Sequence, residues 1–187
     1  MAVASPSISD RPEAGSGRGL GPDLFGLLGL APRYDLDLSE LERAFFERSK
    51  ELHPDRFASA PAAERVAALS KSRALNDAYQ TLKKPVSRAE YLLACAGHSI
   101  ADNERLEPAF LMEILELREE LAEARQAGRS DEVSRLQAAM AARRKAALDP
   151  LPALFAAGDY AAIKQQLIVL RYVDRYLEEC DAALDED

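Results

Sequence analysis

The 187-residue sequence predicts an all-α protein in two parts, and three observations carry that prediction. Ala, Leu, Glu and Arg fill long stretches free of Pro and Gly, and only 6% of residues are aromatic against 48% hydrophobic. That is the composition of helices packing on one another. No alternating apolar–polar run bounded by turn residues stands where a strand would need one. Pro and Gly fall between the periodic stretches, where they start and stop helices.

Taken in order, Pro22 opens a short first helix that ends at Leu28 before Gly29, with Phe25 and Leu28 inward. Asp37 and Glu40 read as a capping box for a second helix from Leu38 to Leu52, with Leu41, Phe45 and Leu52 buried. A loop over 53–60 follows. The third helix starts at Ser59 or Ala60 and reaches Lys84, with Val66, Leu69, Leu75, Ala78, Tyr79 and Leu82 as its apolar contacts. Pro85 interrupts it, and a fourth runs from Val86 to Ala96 before Gly97. Residues 98–107 are polar and read as a linker, with His98 a surface residue. A fifth helix covers Pro108 to Ala127 with Gly128 as its stop. Ser130 caps a sixth reaching Leu148, where Pro150 and Pro152 break or kink the chain. A last helix spans Tyr160 to Asp181 after Gly158 and Asp159, and the long helices of this half make a bundle.

Charge and cysteine content exclude several functions. The formal net charge of −8 lies in the second part, where residues 98–187 hold 11 basic against 19 acidic side chains. Phosphate binding needs clustered Lys and Arg, so nucleic acid is not expected as a partner. Cys95 and Cys180 stand far apart without a C-x-x-C spacing, which argues against a metal site and for small core or boundary residues in a reducing compartment. No apolar run approaches the roughly 18 residues of a membrane span. Residues 1–21, rich in Ser, Gly and Pro, read as a disordered tail and not a targeting peptide. A cytoplasmic location without a cofactor is the expectation.

His53-Pro54-Asp55 is the most informative stretch. Pro54 bars His53 from the α region, so the second helix ends beside it and the polar tripeptide stands at a corner. One reading makes His53 a general base oriented by Asp55. Nothing in the sequence supplies a nucleophile, a metal cluster or a phosphate loop to go with it, so recognition is favoured over catalysis. A short helix, an amphipathic helix carrying Arg43, Arg48 and Lys50, an HPD corner and a long returning helix resemble a J-domain. The resemblance implies stimulation of a heat-shock-70-class ATPase, with His53, Pro54 and Asp55 essential and Arg43, Arg48, Lys50 and Arg56 as electrostatic contacts.

Further stretches narrow the family. They are Leu27-Leu28-Gly29-Leu30-Ala31-Pro32-Arg33-Tyr34-Asp35-Leu36-Asp37, Arg88-Ala89-Glu90-Tyr91-Leu92-Leu93, Phe110-Leu111-Met112-Glu113-Ile114-Leu115-Glu116-Leu117-Arg118-Glu119-Glu120-Leu121 and Leu170-Arg171-Tyr172-Val173-Asp174-Arg175. Over 22–181 the chain is similar to the HscB family, the J-type co-chaperones of iron–sulfur cluster assembly. That resemblance implies an HscA-type chaperone and an IscU-type scaffold as client. It divides the chain into a tail (1–21), a J-domain (22–97), a linker (98–107) and a client-binding bundle (108–187). Eukaryotic relatives carry an N-terminal cysteine-rich zinc segment; residues 1–21 contain no cysteine, so the chain looks bacterial in type. Pro150 and Pro152 depart from the long unbroken helix of the family.

The fifth helix points to a surface by itself. Advancing about 100° per residue, Phe110, Ile114, Leu117, Leu121 and Ala124 share one core stripe. Leu111, Leu115 and Met112 turn to about 100°, 140° and 200°, beside Glu116, Glu119 and Glu123 at about 180–240°. Either these side chains pack against a neighbouring helix, or they form an apolar patch bordered by carboxylates that a partner uses. The resemblance favours the second, with Tyr172 as a weaker client contact because bundle packing also explains it. A different client, or a bundle serving homo-association, are the alternatives.

Overall fold

A computed structural model describes residues 22–101 and 107–185. Helices α1 (Leu24–Leu28), α2 (Leu38–Glu51), α3 (Ala62–Lys83) and α4 (Pro85–Cys95) come first, with a short 3-10 turn at Pro54–Phe57. Helices α5 (Pro108–Gln126), α6 (Ser130–Leu148), α7 (Leu151–Ala157) and α8 (Tyr160–Asp185) follow. The regular elements among the described residues are all helical, as the sequence predicts. The tail (1–21) and residues 102–106 of the linker lie outside the described residues.

The helix ends show why the chain breaks where it does. Helix α1 opens at Leu24, not Pro22, and Asp23 caps it, its side chain accepting from the Gly26 amide at 2.9 Å. Asp37 caps α2 by accepting from the Ser39 amide at 2.8 Å. The capping box is only half realised, because Glu40 pairs with Arg33. Residues 53–60 are not plain loop, since the 3-10 turn fills their centre. On α6, Arg129 occupies the cap position and Ser130 is the first helical residue. Helix α6 ends at Leu148 and α7 begins at Leu151, so the chain breaks at the prolines. Asp149 and Pro150 are still in helical dihedrals, and Pro152 lies in the first turn of α7. Helix α8 runs beyond Asp181 to Asp185.

Three clusters hold the molecule. In the first, Leu24, Phe25 and Leu28 pack on Leu41, Leu75, Ala78 and Leu82, closing α1 over the α2–α3 hairpin. Two expected members do not join it: Val66 and Leu69 are 68% and 63% exposed, because they turn away from the side of α3 that carries buried Ala68, Leu75 and Leu82. In the bundle, Phe110, Ile114 and Leu121 of α5 meet Val133, Leu136 and Met140 of α6 and Val173, Tyr176 and Cys180 of α8. The buried Tyr176 hydroxyl donates to the Leu117 carbonyl at 2.9 Å, satisfying a group that would be costly to leave unpaired. Burial pushes the Cys180 thiol up to about 11, whereas Cys95 is exposed, not a core residue.

The remaining cluster is a seam between the halves. Tyr34, Ala89 and Leu93 lie against Ala147, Leu151, Ile163, Leu167 and Leu170. Helix α8 is the shared spine, with its first turns in the seam and its later ones in the bundle. Arg88, 7% exposed, donates to the Leu82 carbonyl at 2.6 Å and lies over the Tyr34 ring. Burial lowers its pKa, while Tyr34 and Asp35 act to raise it. At the rim, Arg171 reaches Glu90 at 2.9 Å, and the exposed His98 stacks on Tyr160 with ring centroids 4.7 Å apart. The bundle therefore sits in a fixed relation to the hairpin.

Candidate functional site

Two exposed features stand at separate places on this frame. The first is the corner after α2. His53 has extended dihedrals (φ −60, ψ 131), which end α2 and cap the 3-10 turn. Its Nδ1 accepts from the Asp55 amide at 3.3 Å and lies 3.5 Å from Asp55 Oδ2. The backbone completes the turn, the His53 carbonyl accepting from the Arg56 amide at 3.0 Å. Both side chains project outward, with 59% of His53 and 90% of Asp55 exposed. A ring acting as acceptor through Nδ1 presents Nε2 outward as a donor in its neutral form. The corner thus offers one imidazole edge and one carboxylate at fixed separation.

The cations predicted around it are differently engaged. Arg43 is exposed on α2. Lys50 pairs with Glu47 at 3.2 Å and its ammonium lies 4.2 Å from the Phe46 ring centroid. Arg48 pairs with Glu51 at 3.3 Å and lies over Gly29, where an added Cβ would meet its guanidinium at 3.1 Å. Gly29 also has φ +73, so a side chain there is strained as well as crowded. Arg56 reaches back to the Lys50 carbonyl. All four are exposed, and Arg48 partly serves the fold through its place over Gly29.

The second feature is the outer face of α5. Leu111, Met112 and Leu115 are 42%, 58% and 47% exposed, while Phe110 and Ile114 on the adjacent stripe are buried. Glu116, Glu119 and Glu123 are exposed on the same helix. These three apolar side chains are therefore not packed against a neighbouring helix. On either flank of the core stripe, α5 is anchored by Arg118 to Glu179 of α8 at 2.9 Å and by Glu113 to Arg143 of α6. Tyr172 is half-buried and meets Phe110 edge-on, with centroids 6.3 Å apart, so it belongs partly to the bundle core.

Residues 23–91 match a family model described as the DnaJ domain, and residues 106–181 match one described as the HSCB C-terminal oligomerisation domain. A co-chaperone HscB homolog of Azoarcus sp. (strain BH72) is 37% identical over 166 residues, covering 87% of this chain and 94% of that protein. The chain belongs to the HscB family. The solved HscB of Vibrio cholerae is 34% identical with a TM-score of 0.77, covering 87% of this chain and 98% of that one. The crystal structure of human HscB is 26% identical with a TM-score of 0.80, covering 96% and 93% respectively.

As an HscB-family protein this chain is a J-domain co-chaperone. The corner lies within the DnaJ match and α5 within the C-terminal match. Among the described residues, no group of His, Cys, Asp and Glu gathers that could hold a metal ion, and no helix is long and apolar enough to cross a membrane. A cleft of about 340 Å³ lies at the seam, lined by Tyr34, Leu92, Pro152, Phe155 and Tyr160 among others, and His53 stands outside it. Sequence reasoning missed the exposure of Phe46, at 58%, and the burial of Arg88. The wheel of α2 gives the first, since Phe46 follows inward Phe45 by one step. Nothing local marks the second, because it depends on Tyr34 folding over from a distant loop.

Proposed function

We propose that this chain stimulates the ATPase of an HscA-type chaperone through His53, Pro54 and Asp55 and delivers to it an IscU-type scaffold held on α5. Arg43, Lys50, Arg56 and, less freely, Arg48 add electrostatic contacts that steer the encounter. The client contacts are Leu111, Met112, Leu115, Glu116, Glu119 and Glu123, with Tyr172 contributing less. Residues 22–97 then work as the chaperone-facing unit and 108–187 as the client-facing one, in the cytoplasm. The observation that carries this reading is the corner itself. Its His53 and Asp55 side chains are exposed, and their contacts within the fold are with each other and the turn. Such side chains serve a partner. Holding the client on the same chain raises its local concentration at the chaperone.

ATPase stimulation measured with and without scaffold tests both ends. His53→Gln abolishes stimulation and leaves scaffold binding intact; retained stimulation refutes the chaperone contact. Met112→Ala/Leu115→Ala weakens scaffold binding about tenfold or more with helicity unchanged. A loss of helicity there shows the pair to be structural. A second reading has the exposed apolar face of α5 join two copies, as the oligomerisation-domain match suggests. Sedimentation of the same double variant separates it, since a copy contact changes mass where a client contact does not.

A further inference from the structure

The outer face of α5 has a second charged border. Glu116, Glu119 and Glu123 lie on its far side, at about 180–240° from Phe110. The side toward α8 is cationic. Arg118 and Arg125 lie at about 80° and 60°, beside Leu111, Ala122 and Leu115 at about 100°, 120° and 140°. On α8, Tyr172 meets Phe110 and Glu179 meets Arg118, so these two residues mark the side turned to α5. Arg175 stands about 40° from Glu179 and about 60° from Tyr172. Tyr176, about 40° from Tyr172 in the other sense, is fully buried. Arg175 therefore lies on the outward side of the α5–α8 junction, with 75% of its side chain exposed.

These cations meet at a cleft. A space of about 220 Å³ between α5 and α8 is lined by Arg118, Leu121, Ala122, Arg125 and Glu179. Glu179 Oε1 lies 2.9 Å from Arg118 Nη2 and 3.9 Å from Arg175 Nε. One carboxylate is thus shared by two guanidinium groups, with a third beside it. This local excess of cations stands in a half of the chain with 11 basic against 19 acidic side chains. Leu111, Met112 and Leu115 lie between it and the glutamates. From α8 outward the face runs basic, apolar, acidic.

Building on the client reading, we infer that Arg175, with Arg118 and Arg125, takes a carboxylate of the bound scaffold and so sets the direction in which the scaffold lies on α5. The matching scaffold surface is dipolar. An acidic side chain meets the cleft, apolar ones cover Leu111 and Leu115, and basic ones meet Glu116, Glu119 and Glu123. Turned end for end, the same surface brings like charges together at both borders, which disfavours that orientation. Both borders make the contact weaken with salt.

The experiment titrates an IscU-type scaffold into the full chain by calorimetry at low and at high salt. Arg175→Glu weakens binding about fivefold at low salt, and high salt narrows the difference to about twofold or less. A loss that persists undiminished at high salt is not one of charge and overturns the inference. A scaffold variant with one surface carboxylate changed to Lys binds the Arg175→Glu chain more tightly than wild type; a full set without such a variant overturns it as well. Met112→Ala/Leu115→Ala runs alongside. If that pair loses affinity while Arg175→Glu titrates like wild type, the cationic border is refuted and the client reading stands. If the pair binds scaffold normally, the client reading itself fails and takes the inference with it. An Arg175→Glu chain that binds scaffold normally but sediments differently assigns the cleft to a second copy, which also refutes it. Should Arg175→Glu lower the unfolding midpoint through repulsion from Glu179, Arg175→Gln decides, with an expected loss of about twofold at low salt.

Discussion

The HPD corner and the outer face of α5 are both exposed, but they are built on opposite plans. At the corner, backbone geometry does the work, since one extended residue and a 3-10 turn fix two side chains that touch little else. On α5, a continuous helix carries a buried stripe and an exposed one side by side. Ile114 is buried and its neighbour Leu115 is 47% exposed, separated only by the rotation of one residue. Buried and exposed side chains are thus separated at the corner and adjacent on α5, so the proposed contacts should be separable from stability at the first and coupled to it on the second. The same contrast holds for support, because the corner stands at a hairpin tip and α5 is clasped by α6 and α8.

The largest test of that contrast is Ile114→Ala. Deleting buried methyl groups there costs about 3 kcal/mol, and for a domain of this size the midpoint falls about 6–12 °C. Because Ile114 shares its helix with Met112 and Leu115, scaffold affinity should fall too, although Ile114 itself is inaccessible. Calorimetry and scaffold titration at a temperature where the chain is folded read the two effects. Stable, full-affinity Ile114→Ala protein breaks the coupling claimed for α5.

These two plans also explain what could be read in the chain before its structure. The corner was legible because Pro54 and its neighbours act locally, and local rules need no partner element. The exposed face of α5 was legible because its wheel has one clear core stripe, confirmed by buried Phe110, Ile114, Leu121 and Ala124. Val66 and Leu69 misled because they are apolar without lying on the core stripe of α3. At about 100° per residue they lie about 180° and 120° from Leu75. Ala68 between them lies about 20° from it and is buried, so they stand on the outer side of a helix that is covered along its inner one. Arg88 was illegible, since burying its guanidinium depends on the Leu82 carbonyl and the Tyr34 ring being brought together in space. Pattern gives a helix its faces; only packing decides which face is covered.

Tyr172 sharpens the comparison at middling cost. It is half-buried beside Phe110, so Tyr172→Ala forfeits about 1–2 kcal/mol of packing. Scaffold binding should drop less than in Met112→Ala/Leu115→Ala, because the ring spends part of its surface on the core. Measured by chemical denaturation and scaffold titration, an affinity loss equal to that of the double variant with no loss of stability moves Tyr172 wholly to the client face.

His53→Gln should change unfolding free energy least of all, within about 0.5 kcal/mol. The Nδ1 contact to the Asp55 amide is long at 3.3 Å, and the ring is 59% exposed, so water replaces what Gln does not. The turn itself is closed by backbone bonds, from the Arg56 amide to the His53 carbonyl and from the Ala58 amide to the Asp55 carbonyl, which Gln leaves in place. Denaturant unfolding of the variant checks this directly. A loss of 2 kcal/mol or more would mean that His53 holds the corner together and that lost stimulation is a folding defect. An unchanged midpoint with stimulation gone makes the imidazole a group that the fold carries for a partner alone, the opposite of Ile114 in every respect.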